Sequence, residues 1–387
     1  MTRTGLDRVT VVRHGITVLR DLTLAAEDGE LLAVLGPSGC GKSTLLRVVA
    51  GLTPVQAGEV HIGGRRVTQV PTQQRGVAMV FESSSLVPFL DVAHNLGWGL
   101  RAQRVPESEI GDRVSGRARQ LRLSGLLSRM PKALSAGERG LVGVGRALVR
   151  TPEVFLLDEP LAHLDAGQRA SVRRRIVEVV RSLGVTTLYV THDPAEALAV
   201  ADRVALMNDG TIAQVGTPRE VYREPADLFV AGFVGFPPPG LLAARLVVDA
   251  GTAGFQVGAR TLPLWAPVPA ELSDRVGGEV VLGLRAQDVQ DASTEYDPAL
   301  TTLAGTATRA EYTGQHRIVT LAVDGPAVTA PGAEFSLGDS AAPQLRSLFS
   351  PRAGVRTGDS VRVAVDVARA HVFDPATGRA LWHPPAD

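Results

Sequence analysis

One cysteine in 387 residues, Cys40, leaves no partner for an intramolecular disulfide, so the fold rests on packing and fits a reducing compartment. An excess of either charge is also missing, since 40 Lys and Arg offset 40 Asp and Glu. No global field draws such a chain to nucleic acid or anionic lipid, and any contact of that kind must be local. Long apolar runs are lacking too. The closest, "LFVAGFVGFPPPGLLAA" over residues 228–244, is interrupted by three prolines and falls short of the roughly 20 residues of a membrane span. The opening "MTRTGLDRVTVVRHG" carries no apolar signal-peptide core, so a soluble cytosolic protein docked on something else is expected.

A chain of 387 residues exceeds one ordinary domain, which predicts a second folding unit. From about residue 5 to 235, strand patterns alternate with helical ones. "ELLAVLG", "VFLLD" and "TTLYVTHD" read as buried strands, and "KSTLLRVVAG" as a helix closed by Gly51. In "QRASVRRRIVEVVRSLG" the apolar Val172, Ile176, Val179, Val180 and Leu183 recur at helical spacing, and Arg173, Arg174 and Arg175 read as its solvated face. The alternation predicts an α/β domain with parallel strands over residues 1–235. Residues from about 90 to 134 are arginine-rich and helical in pattern, and read as an inserted helical subdomain. At "GFPPPG", residues 235–240, helix and sheet interior both end. Beyond it the period becomes two: Val361, Val363, Val365 and Val367 alternate with Arg362, Ala364, Asp366 and Ala368. Residues 236–387 are therefore expected to be mostly β. "HRIVTLAVDGPAVTA" reads as two strands joined at Asp324-Gly325, and residues 331–354 as a loop.

The stretch "GPSGCGKST" comprises Gly36, Pro37, Ser38, Gly39, Cys40, Gly41, Lys42, Ser43 and Thr44. It meets the pattern G-x-x-x-x-G-K-S/T, and it follows a strand and opens a helix, where a phosphate loop must lie. Its glycines let backbone N–H groups ring a β-phosphate, Lys42 brings charge to the β- and γ-phosphates, and Ser43 ligates magnesium. "VFLLDEP" supplies what hydrolysis still needs: Asp158 to hold magnesium and Glu159 to orient or deprotonate the attacking water. His192, after the strand "TTLYVT", suits a γ-phosphate contact that senses loss of that phosphate.

Taken in order, the phosphate loop, "VFESSS", the run "LSAGERG", "LLDEP", "LAHLD" and the histidine resemble ATP-binding cassette (ABC) ATPases. "VLGLRAQDV", "EYTGQHRIVTL" and "AHVFDPATGRAL" are similar to the extra β-domain of the carbohydrate-importer, maltose-importer-type subgroup. The resemblance covers essentially the whole chain. It implies a RecA-like phosphate-loop core with a helical subdomain, followed by an OB-like C-terminal regulatory domain. It also implies ATP and Mg2+ as cofactors, and a head-to-tail homodimer in which Ser135 and Gly137 of one copy approach the γ-phosphate held by the other. The expected partners are two transmembrane permease subunits and an extracytoplasmic solute-binding protein, with no nucleic acid. The expected location is the cytoplasmic face of the cell membrane, as a peripheral subunit.

Three stretches depart from the family pattern. Ala136 and Glu138 replace a glycine and a glutamine in the signature run, and Glu138 favours a helix start while adding like charge near a triphosphate. Glu82 stands where the family has glutamine; it retains magnesium-ligating capacity but cannot donate a hydrogen bond when ionised. Where the family stacks an aromatic on adenine, "VVRHG" offers Arg13 and His14, which read either as a planar stacking pair or as exposed loop residues. Asp165 corresponds to a residue that links the two sites in relatives, and it also reads as a helix N-cap. Importers for polyamine, phosphonate, sulfate or metal stay open as alternatives. So do a binding subunit whose ATPase has decayed and, further off, a soluble cassette protein acting on DNA or ribosomes.

Overall fold

The computed structural model describes residues 4–82, 86–249, 252–264, 267–294, 296–298, 300–338 and 342–385. They form two compact units, Met1–Pro218 and Arg219–Asp387.

In the first unit, β1 (Thr4–Arg13) and β2 (Ile16–Ala26) make an antiparallel hairpin. Its two-residue turn has His14 at φ 50° and Gly15 at φ 80°, the left-handed pair that matches strand twist. With β4 (Ala57–Ile62) and β5 (Arg65–Arg66) it forms a sheet of order β2-β1-β4-β5. A second sheet carries the site. It contains β3 (Leu31–Leu35), β6 (Val77–Val80), β7 (Val154–Asp158), β8 (Thr186–Thr191), β9 (Arg203–Asn208) and β10 (Thr211–Gly216), in the order β10-β9-β3-β8-β7-β6. The pairings among β3, β6, β7, β8 and β9 are parallel, as expected. Every residue of β3, β7 and β8 is buried, which explains their unbroken apolar runs, since a parallel sheet is covered on both faces.

Helix α1 (Lys42–Ala50) lies on this sheet through Leu45, Leu46, Val48 and Val49, which share a core with Leu32, Val34, Leu156 and Val190. Among the described residues no strand lies between Val80 and Val154. That segment holds α2 (Val92–Ala102), α3 (Glu107–Gln120) and α4 (Ala136–Leu148), consistent with a helical insertion. Then come α5 (Ala166–Leu183) and α6 (Pro194–Val200).

The second unit is mostly antiparallel β, centred on Gly240–Asp249, which pairs with Thr252–Val257 and Glu279–Leu284. Strand Ser360–Val365 buries Val361, Val363 and Val365, as the period of two requires. Helix Leu228–Val234 belongs to this unit's core, where Leu228 and Ala231 meet Leu241, Val281 and Phe373. Two expectations are corrected. Asp324-Gly325 does not join two strands: Arg317–Ala322 pairs instead with Thr301–Tyr312 and Gln344–Phe349, and Val328 and Ala330 enter a core without strand pairing. Residues 331–354 are not simply loop, since they hold the short helix Glu334–Leu337 and strand Gln344–Phe349, while residues 339–341 lie outside the described set. In that strand Leu345, Ser347 and Phe349 face inward, and the fully buried Ser347 hides the alternation.

Candidate functional site

Sheet register brings the site together. Leu35 at the end of β3 lies beside Thr191 of β8, and Asp158 of β7 beside Val190. The phosphate loop, the Asp158-Glu159 pair and His192 therefore emerge at one edge, beyond the carboxyl ends of three adjoining strands, where open α/β sheets bind ligands.

The loop from Gly36 to Gly41 runs into α1 with Gly41 at the N-cap position, at φ 108°. A side chain there would be strained, and a Cβ would also lie 3.0 Å from Leu19 Cδ2 and Val18 O, so β2 closes on the loop. No side chain caps α1, and its first backbone bond runs from Leu45 N–H to Gly41 O. The amides of the first turn thus face the loop without a capping acceptor. Lys42 is only 5% exposed, yet its Nζ donates to Gly36 O at 2.9 Å and Pro37 O at 2.8 Å. A buried ammonium held by two carbonyls, over a row of uncapped amides, fits a polyphosphate anion. Cys40 is buried beneath the loop, and burial raises its thiol pKa while Lys42 opposes the rise.

Ser43 Oγ donates to Asp158 Oδ1 at 2.8 Å. Asp158 is 5% exposed, and burial pushes its carboxyl above the usual range, opposed by the Ser43 hydrogen bond and Arg47, with Glu159 and Glu82 adding to the rise. Two adjacent hard oxygens, one on a carboxylate disfavoured by burial, are a donor set that fits Mg2+. When bound, the ion would neutralise phosphate charge.

Glu159 has φ 46°, a left-handed backbone at a residue other than glycine, and its N–H donates to Val190 O at 3.1 Å. Strain of this kind persists where the surroundings fix it, as they do at functional sites. Its Oε2 lies 2.8 Å from His192 Nδ1. A carboxylate acceptor fixes the Nδ1–H tautomer and turns the basic Nε2 away from Glu159. Glu82 is exposed on the same side, 4.0 Å from His163 Nε2. The adjoining Ser83–Ser85 of "VFESSS" lie outside the described residues.

The signature run behaves differently. Ser135 caps α4, its Oγ accepting from Glu138 N–H at 3.2 Å, while Glu138 Oε2 accepts from Ser135 N–H at 2.7 Å. That closed capping box explains why a glutamate suits position 138. Ala136 lies within the helix and is not among the residues of positive φ, so the methyl is tolerated. Gly137 N–H donates to Gln168 Oε1 at 3.2 Å, and a Cβ at 137 would come within 2.8 Å of that oxygen. Asp165 caps α5 by accepting from Gln168 N–H at 2.9 Å, so its capping reading is realised. Arg13 and His14 are exposed at the β1–β2 turn.

Sequence reasoning passed over Glu196. Three residues after the cap Asp193, it reads as an ordinary first-turn acid of α6, yet it is 5% exposed and bonded to Tyr189 and Thr191.

A phosphate loop, a strand-end acidic pair and a histidine bonded to that pair, all at one sheet edge, define a nucleotide-hydrolysing phosphate-loop protein. The family model described as "ABC transporter" matches residues 19–162. The trehalose/maltose import ATP-binding protein of Thermococcus litoralis is 41% identical over 375 residues, covering 95% of this chain and 96% of that one. The sn-glycerol-3-phosphate import ATP-binding protein of Cereibacter sphaeroides is 40% identical over 367 residues, covering 95% and 96%. A solved chain from Clostridium perfringens, part of an ABC transporter complex, superposes with TM-score 0.54 at 26% identity, over 57% of this chain and 90% of its own. The chain belongs to the ABC transporter family, as an ATP-binding subunit with ATPase function. No helix among the described residues is long and apolar enough to cross a membrane.

Proposed function

We propose that the chain is the ATP-hydrolysing subunit of an importer for sugars or related polyols and glycerol derivatives, working as a head-to-tail homodimer. The naming of its relatives for trehalose/maltose and sn-glycerol-3-phosphate import supports that cargo class. One observation carries the catalytic reading: the Glu159–His192 pair stands beside the Ser43–Asp158 pair at adjoining strand ends. Gly36–Thr44 and Lys42 bind the phosphates, Ser43 and Asp158 hold Mg2+ with Glu82 as a further ligand, and Glu159 orients the attacking water. His192 contacts the γ-phosphate, and Ser135, Gly137 and Glu138 of the second copy close on it, with Asp165 beside the junction. Arg13 stacks on the base. The first unit acts as the nucleotide-binding domain and the second as an OB-like regulatory domain.

Two permease subunits and an extracytoplasmic solute-binding protein complete the importer, with this subunit at the cytoplasmic face of the membrane. A groove of about 450 Å³ between the sheet and the helical insertion, lined by Leu52, Met79, Phe81, Trp98 and Arg146, suits a permease segment. Its Leu52, Phe81 and Trp98 are exposed apolar side chains, as a binding surface requires.

The decisive experiment is Glu159→Gln. ATP turnover is expected to fall by about 10²–10⁴-fold with nucleotide affinity retained; unchanged turnover would remove Glu159 from catalysis. The cargo is tested by which solute stimulates ATPase activity in the assembled complex. Stimulation by polyamine, sulfate or metal, and not by sugars or polyols, would overturn the assignment.

A further inference from the structure

His192 stands at the end of β8, just before α6, with 55% of its side chain exposed, so packing does little to hold it. Its ring nevertheless meets Glu159 at 2.8 Å, which requires the backbone on either side to be fixed. What fixes it lies beneath. Glu196 of α6 turns inward, and its two oxygens each accept one bond from β8: Oε1 from the Tyr189 hydroxyl, and Oε2 from the Thr191 hydroxyl at 3.0 Å. The same Thr191 oxygen accepts from Asp193 N–H at 3.1 Å. Both neighbours of His192 are thereby tied to one buried carboxyl. Asp193 completes the frame, accepting from Ala195 N–H at 2.9 Å and Glu196 N–H at 3.3 Å, with Arg169 of α5 at 3.7 Å.

Such a network is an expensive way to fill a core. Burial of a carboxyl opposes folding even with two hydroxyl donors, and apolar side chains would fill the same space at less cost. The buried position pushes the Glu196 carboxyl above its ordinary range. What the Tyr189–Glu196–Thr191 bonds provide is one defined geometry, because moving any of the three would leave a buried polar group unpaired.

We propose that Glu196 is a positioning residue which, through Thr191, holds His192 in hydrogen-bonding register with Glu159. The proposal rests on the reading of His192 as an ATPase residue and adds what aligns it. Thr191→Val is the sharpest test, because it keeps the β-branched shape and the Tyr189–Glu196 bond while removing the hydroxyl that reaches both Glu196 and Asp193. Turnover is expected to fall about tenfold with the KM for ATP unchanged, the mark of a contact used in the reaction step. In ¹⁵N imidazole spectra of the full chain without nucleotide, wild-type His192 should show the Nδ1–H tautomer. Thr191→Val and Glu196→Leu should return it to a mixture. Glu196→Gln, which keeps an acceptor and the shape, should restore the tautomer and bring turnover to within about twofold of wild type.

His192→Ala separates the two layers. If that variant loses turnover while Thr191→Val and Glu196→Leu keep wild-type turnover and the Nδ1–H signal, the positioning role is overturned and His192 stands. If His192→Ala turns over normally, the catalytic reading of His192 fails, and the spectra alone decide the positioning. A drop in melting temperature with turnover, KM and tautomer unchanged would mark Glu196 as structural only and would also overturn the proposal.

Discussion

Two helix starts in the first unit have sequences suited to phosphate, and they are built in opposite ways. At α1 the N-cap is Gly41, no side chain closes the first turn, and the buried Lys42 ammonium rests on two loop carbonyls. At α4 the N-cap is Ser135, Glu138 completes a capping box, and Gly137 N–H is taken by Gln168. An uncapped start leaves backbone donors that a ligand must satisfy, whereas a capped start is complete without one. The phosphate loop is thus open to nucleotide in a single copy, and in the proposed dimer the signature start would have to exchange internal bonds for external ones. That difference suits a cycle in which nucleotide binds first and the second copy closes afterwards.

The largest expected effect comes from breaking the open side. Lys42→Ala removes the only charge buried in the loop, so turnover should fall by about 10³-fold or more, and nucleotide affinity should collapse in a fluorescence titration. A second test of that side is Asp158→Asn, read by melting temperature against pH. Because burial raises the Asp158 pKa, the folded chain binds its proton more tightly than the unfolded chain does, and the ionised form opposes folding above the shifted pKa. Asparagine keeps an acceptor for Ser43 and removes the charge, so the variant should melt higher than wild type near pH 7.5. The gain should shrink as pH falls through the raised pKa and wild type takes up the proton. Added MgATP should then stabilise wild type more than the variant.

On the closed side the effects are smaller and concern folding before chemistry. Ser135→Ala should cost about 1 kcal/mol as a lost N-cap, read by denaturant titration. Glu138→Gln is the mildest change, because glutamine closes the same capping box. Stability should stay within about 0.5 kcal/mol. In the proposed dimer, where Glu138 faces the second copy's nucleotide, removing its charge should raise turnover by about twofold, and a fall in turnover would show that the carboxylate does not face nucleotide.

The same contrast marks how far the sequence could be read. The placement of Gly36–Thr44, Asp158 and His192 at strand ends was legible because buried parallel strands announce themselves as apolar runs and each stretch follows one at a fixed spacing. Asp165 was legible as a cap. Glu196 was hidden because a first-turn glutamate is normal on a surface helix, and only tertiary packing turns it inward. In the second unit the period of two located Ser360–Val365, but the buried Ser347 masked the strand at Gln344–Phe349. Asp324-Gly325 carried a hairpin signal where no second strand follows, because the partners of Arg317–Ala322 come from distant segments.

Amide hydrogen exchange at both helix starts, with and without MgATP in the Glu159→Gln protein, tests the central contrast most directly. At concentrations too low for dimerisation, exchange from Gly39 to Thr44 should slow markedly on adding nucleotide while residues 135–138 stay as they were. The latter should gain protection only as the protein dimerises. Unchanged exchange from Gly39 to Thr44, or protection at 135–138 in the isolated copy, would contradict the account.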